Sequence, residues 1–192
     1  MRLDLEDGLI LGRIVCRSLA AALTGEKYVP ALEEGARPAL LEKRGCFVTL
    51  KKNGALRGCI GCFSSDAPLY HTAAIYARHS ALDDYRFFNN RLGPDDLPDI
   101  EVEMSVLTPL TLCRYPERII LGDHGIHVSA GGRSGCFLPQ VAIETGWTVE
   151  EFWGHCCQDK AGLPWDAWRR PETTLMTFTA EVFDCLAGAA KE

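Results

Sequence analysis

The run Cys46-Phe-Val-Thr-Leu-Lys-Lys-Asn-Gly-Ala-Leu-Arg-Gly-Cys-Ile-Gly-Cys62 sets two strand-like segments on either side of Asn53-Gly54. An Asn-Gly pair suits the two-residue hairpin turn in which both central residues take positive φ, because that turn matches the twist of the flanking strands. A flush turn predicts Lys52 opposite Ala55, Leu50 opposite Arg57 and Val48 opposite Cys59. Alternation then gives Arg57, Cys59 and Gly61 one face of the hairpin and Leu56, Gly58, Ile60 and Cys62 the other.

Outward from the hairpin, Leu5, Leu9, Gly12, Cys16, Leu19 and Leu23 recur at helical spacing. They predict an amphipathic helix over 4 to 24, stopped by Thr24-Gly25. Residues 26 to 44 carry Pro30, Gly35 and Pro38 and read as an irregular or partly helical connection. After the hairpin, Ser64-Ser65-Asp66 and Pro68 offer the start of a helix over 67 to 81. Residues 83 to 98 form a long loop with at most one helical turn. Ile100, Val102, Met104 and Val106 alternate with Glu101, Glu103 and Ser105, the pattern of a strand with one apolar face. A short strand is expected over 118 to 121. A second hairpin joins 125 to 130 and 133 to 138 across Gly131-Gly132, which places His127 opposite Cys136. Thr148 and Glu151 form a capping box opening a helix to about Ala161, and residues 173 to 183 read as a final strand. Without strict βαβ alternation, this order implies an α+β fold: a mainly antiparallel sheet with flanking helices.

The chain has 192 residues, 47% hydrophobic and 24% charged, enough to bury the core of one domain or of two closely packed lobes. No apolar run approaches the roughly 18 residues of a membrane span, and the first residues alternate in charge without a leader pattern, so a cytoplasmic protein is expected. Twenty Lys and Arg against 26 Asp and Glu give a net charge of −6, which argues against a broad nucleic-acid-binding surface. Nine cysteines without paired spacing do not suggest a disulfide framework, and most are expected as buried thiols.

Cys59-Ile-Gly-Cys62 has the spacing of a redox or half-zinc motif, but residues three apart on a strand face opposite ways unless Gly61 introduces a bulge. No second such pair completes four ligands, and no metal site is expected. Cys59 with Arg57 on its face is the sharper candidate, since a guanidinium stabilises a thiolate and Gly58 and Gly61 permit close approach of a ligand. The plain alternative is a cysteine packed against Val48. His127 facing Cys136 admits metal binding or thiol activation, with a half-exposed surface histidine as the ordinary reading. Glu101, Glu103 and Ser105 form a polar strand face that either meets solvent or holds a cation. Trp147, Trp153, Trp165 and Trp168 are expected in packing.

The core Leu56-Arg-Gly-Cys-Ile-Gly61 resembles the signature of the AMMECR domain family. Asp84-Tyr-Arg-Phe87, Glu101 to Pro109, Gly122 to Gly125, Gly132 to Ala142, Glu144 to Trp147 and Lys160 to Leu163 extend that resemblance in order along nearly the whole chain. Asn89-Asn90, Cys62 and Cys136 depart from the pattern. The resemblance implies one domain with a larger lobe holding both termini and a smaller lobe around 40 to 85 carrying the Leu56 to Gly61 hairpin, with a cleft between. It also points to Arg57, Gly58, Cys59, Gly61, Arg86, Glu103, Ser105, Arg133, Pro139 and Gln140 as recurrent residues. In bacteria and archaea the family is associated with the AmmeMemoRadiSam system, which pairs it with a Memo-like protein and a radical-SAM enzyme.

Two functions are therefore expected as rivals. In one, Cys59, Arg57 and Glu103 form a catalytic or binding centre for a small anionic or carbonyl-bearing molecule, with Gly58, Gly61, Arg86, Ser105, Arg133 and Gln140 around it and no cofactor. In the other, the chain is a non-catalytic module that docks the Memo-like or radical-SAM partner.

Overall fold

A computed structural model describes residues 2–32 and 37–186. The chain divides into two compact units: the first runs through Leu107 and resumes at Glu181, and the second is Thr108–Ala180.

The first unit opens with α1 (Leu5–Thr24), where Asp4 and Asp7 each accept the other's backbone N–H at 3.0 Å in a capping box. Gly25 ends it with φ 77°, a conformation that costs glycine nothing. Arg37, just before the short α2 (Pro38–Leu41), pairs with Asp4, Glu6 and Asp7 at the α1 N-terminus. The hairpin is β1 (Cys46–Lys52) and β2 (Ala55–Cys62), with Asn53 at φ 52° and Gly54 at φ 72° as the turn requires. Next come α3 (Leu69–Leu82), two 3-10 turns over Tyr85–Asn90 and Pro94–Asp99, and β3 (Ile100–Leu107). Pro68 is the N-cap of α3, with no side-chain cap from the expected Ser64-Ser65-Asp66. The first sheet has the order β2-β1-β3-β8, β8 being Ala180–Leu186. Leu11, Val15 and Leu19 of α1, Leu69, Ala73 and Ala77 of α3, and Val48, Leu50, Val102 and Met104 of the sheet form one buried core.

The second unit holds β4 (Thr111–Leu112), β5 (Gly125–Ala130), β6 (Arg133–Phe137), α4 (Pro139–Thr145), α5 (Val149–His155) and β7 (Thr174–Phe178). Its sheet has the order β4-β7-β5-β6, and all its described ladders are antiparallel. Ile126, Val128, Phe137, Phe152 and Trp153 make its core. Trp147 stacks on His155 with ring centroids 4.0 Å apart, and Trp165 meets that imidazole edge-on at 4.7 Å.

The α+β class and antiparallel pairing follow the sequence reading, but four assignments change. The expected strand over 118 to 121 is absent; a 3-10 turn over Pro116–Arg118 precedes buried Ile119. The helix expected to about Ala161 leaves α geometry at Cys156 and continues as a π-helical turn through Lys160. The final strand is two strands parted at Thr179, one in each sheet, because β-rich sequence does not reveal which sheet it joins. The hairpin expected in a smaller lobe over 40 to 85 belongs instead to the unit containing α1 and β8, because its apolar face is buried against α3 in the shared core.

Candidate functional site

Along the hairpin the ladder runs Lys52–Ala55 and Lys51–Leu56, then shifts, so that Leu50 pairs with Gly58, Thr49 with Cys59 and Val48 with Ile60. Arg57 is the extra residue of this β-bulge. The flush register, with Val48 opposite Cys59, is thereby corrected. Val48 and Leu50 are fully buried, and a flush ladder would carry the Arg57 guanidinium into that core without a counter-charge. The bulge instead sends Ile60 and Gly58 to the apolar face. It also takes Arg57 out of the ladder, opposite no residue of β1.

Gly58 lies against α3 so closely that a Cβ there would stand 2.0 Å from the Ser80 carbonyl oxygen. Ser80 ties the two elements together: its hydroxyl donates to Val48 O at 2.7 Å and accepts from Ile60 N–H at 2.9 Å. At Gly61 an added Cβ would meet Cys46 O at 2.2 Å. Both glycines are thus demanded by packing.

Cys59 lies on the opposite face, on the edge strand, and its backbone is clamped. Asp84 Oδ2 accepts from Cys59 N–H at 2.9 Å, and Arg86 Nη2 donates to Cys59 O at 3.0 Å. Arg86 also donates to both Asp84 oxygens, at 2.9 and 2.6 Å, a fork matched to a carboxylate. The side chain of Asp84 is 3% exposed. Burial opposes its charge, yet the Arg86 and Cys59 hydrogen bonds outweigh burial and hold the carboxyl below the usual aspartate range.

Across the sheet, Thr49 pairs with Cys59 on one side and with Glu103 on the other. Cys59, Thr49 and Glu103 therefore form one row over β2, β1 and β3, about 10 Å from end to end by strand spacing. Gly61, Phe47 and Ser105 make the next row on that face. Thr49 Oγ1 donates to Cys59 Sγ at 3.3 Å. Burial pushes the Cys59 thiol up, with the Thr49 hydrogen bond and the Arg86 charge pulling the other way. The guanidinium acting on the thiol is thus that of Arg86. Arg57 donates to its neighbour Leu56 O at 3.1 Å and bears electrostatically on Asp96, so its expected role as partner of the thiol is corrected.

Cys62 pairs with Cys46 and faces α3, where it bonds to the Tyr76 hydroxyl, so the two cysteines of the Cys-x-x-Cys run belong to opposite faces. Arg133 on β6 and Gln140 on α4 stand in the second unit. His127 does pair with Cys136. Among the described residues, no three His, Cys, Asp or Glu side chains gather as metal ligands would, and no helix is long and apolar enough to cross a membrane. Asp84, Thr49 and Ser80 are the residues that sequence reasoning missed as participants. The Asp-x-Arg spacing of Asp84 and Arg86 was the available signal for the first. Nothing local announces the other two.

A hairpin held by an Asp-x-Arg clamp over a helix-backed antiparallel sheet defines an α+β protein with a glycine-rich signature strand. The chain belongs to the AMMECR1 family, whose profile it matches over residues 13–183. It is 40% identical over 191 residues to the protein MK0488 of Methanopyrus kandleri, covering 95% of this chain and 90% of that one. To the protein PH0010 of Pyrococcus horikoshii it is 40% identical over 190 residues, with 93% and 90% covered. The crystal structure of that uncharacterized protein superposes with a TM-score of 0.87 at 38% identity, over 96% of this chain and 94% of that one.

Proposed function

We propose that this AMMECR1-family protein binds a small, neutral, carbonyl-bearing molecule on the sheet face that carries Cys59, Thr49 and Glu103, as a cytoplasmic component of the AmmeMemoRadiSam system. The observation that carries the reading is the row itself: Thr49, Asp84 and Arg86 all place hydrogen bonds on Cys59, fixing it in line with Thr49 and Glu103 across three strands. An anionic ligand fits poorly, because the Arg86 charge is matched by Asp84 and the row ends in a carboxylate. Burial keeps the thiol protonated at neutral pH, which favours Cys59 as a hydrogen-bonding contact over a thiolate nucleophile. Mass spectrometry of small molecules released from the purified protein tests this. A compound enriched in the wild type and lost in both Cys59→Ala and Glu103→Gln supports the site; equal recovery from folded variants refutes it.

A second reading rests on Tyr85 and Phe88, 84% and 64% exposed in the turn that supplies Arg86. Aromatic rings of this kind anchor protein interfaces, and the Memo-like or radical-SAM protein is the partner in this reading. Co-purification that fails for Tyr85→Ala/Phe88→Ala yet survives Glu103→Gln would select docking over ligand binding.

A further inference from the structure

We infer that the second unit holds a site for a monovalent copper ion, formed by Cys136, His127 and Met176 in one row across β6, β5 and β7. The register sets the row: His127 of β5 pairs with Cys136 on one side and with Met176 on the other, so the three side chains share one face of the sheet. Ile126, Val128, Phe137 and Leu175, one residue out of step, supply the buried core on the other face. Counted from the two-residue turn at Gly131-Gly132, His127 and Cys136 occupy a non-hydrogen-bonded position, where facing side chains stand closer. Met176 is one strand spacing away, about 4.8 Å, a gap that the long unbranched methionine side chain bridges. All three residues are half-buried. Ser134, Ser129 and Thr174 form the next row of the same face, and the last two with His127 help to line a concavity of about 540 Å³ that gives a path to the imidazole.

The donor set selects the ion. A thiolate sulfur, a thioether sulfur and an imidazole nitrogen are soft or borderline ligands, and the pair of sulfurs matches Cu(I). Magnesium, calcium and manganese ask for oxygen donors, and the row holds none; beyond Met176 it ends in the apolar Leu112 of β4. Structural zinc sites are closed by four Cys, His or carboxylate ligands, and among the described residues no third such side chain joins His127 and Cys136. The third donor is the Met176 thioether, a ligand outside the zinc set and inside the cuprous one. Binding replaces the Cys136 S–H bond by an S–Cu bond and passes the proton to solvent, with no change of oxidation state.

The test titrates the full, reduced chain with Cu(I), held in that state by ascorbate without air, against the chelator bicinchoninate. The expected result is a single tightly held ion, weakened about a hundredfold or more in Cys136→Ser and about tenfold or more in Met176→Leu, losses at or above those of outer-shell partners. Cys62→Ser and Cys113→Ser alter half-buried thiols elsewhere and should leave the affinity unchanged. Met176→Leu conserves volume, so it is decisive even where Cys136→Ser fails to fold. Ag(I), a closed-shell substitute, should shift the Met176 methyl resonance while that of fully buried Met104 stays in place. Failure to hold Cu(I) against the chelator, equal affinity in Met176→Leu, a Met176 methyl unmoved by Ag(I), or loss of the ion in Cys62→Ser or Cys113→Ser overturns the inference.

Discussion

Gly58 shows how little room the signature strand leaves. Its missing Cβ would fall 2.0 Å from a backbone oxygen of α3, an atom that moves only if the helix moves. Gly58→Ala is expected to destabilise the protein by about 1 to 3 kcal/mol, within the range of steric strain in a packed site; urea unfolding measures it. At Asp84 the folded carboxyl is held low, so the stability it contributes is present above the unfolded aspartate value of about 3.9 and is lost as pH falls through the depressed folded value. Asp84→Asn should therefore cost about 1.5 to 3 kcal/mol at neutral pH, the worth of hydrogen bonds to a charged group, and flatten the acid limb of a Tm-against-pH curve. A curve parallel to that of the wild type would remove Asp84 from this role. For Cys59 the sign is opposite: burial raises the thiol, and alkylation by iodoacetamide at pH 7 should run slower than for a free cysteine. Peptide-resolved mass spectrometry reads that rate, and a Cys59 that outpaces the other thiols would restore the nucleophile reading.

The hairpin turn was legible because Asn53-Gly54 leaves few alternatives to two consecutive positive φ values. Gly54 has no atom within 4 Å of the position a Cβ would take, so Gly54→Ala isolates the conformational term, about 1 to 2 kcal/mol by calorimetry. The bulge was not read from the sequence, although Ile60 held the clue. An apolar residue there pairs with buried Val48 only if one extra residue intervenes after the turn. Counting outward from the turn decided the wrong register, where matching the two apolar faces would have decided the right one. The polar row was half legible: alternation along β3 separates Glu103 and Ser105 from its apolar residues, but only pairing with β1 sets Glu103 in line with Cys59. Thr49 reads as an ordinary strand residue, and Ser80 as an ordinary helix residue, until the strands and α3 are brought together. The same limit applies to β7 and β8, whose shared composition hides a change of sheet at one threonine.

For the whole molecule, the second unit is an insertion between β3 and β8, which are neighbours in the first sheet. Its two ends are tied to each other: Thr108 N–H donates to Thr179 O, and Thr179 N–H donates to Thr108 Oγ1, each at 2.9 Å. Arg44 marks the same passage in the first unit, donating from Nε to Leu107 O at 3.2 Å and pairing through Nη2 with Glu181 at 2.8 Å. Replacing the inserted stretch by a short Gly-Ser loop should leave a folded first unit with β8 still beside β3. Shortening the closure by about four doublings of length should favour that pairing by about 2.5 kcal/mol in the ideal-chain limit. Circular dichroism with hydrogen exchange on β3 checks this, and rapid exchange throughout β3 would show that the insertion is required. During synthesis on the ribosome the consequence is one of timing. β2, β1 and β3 emerge well before β8, so a nascent three-stranded sheet presents the naked flank of β3 to other chains until the last strand arrives.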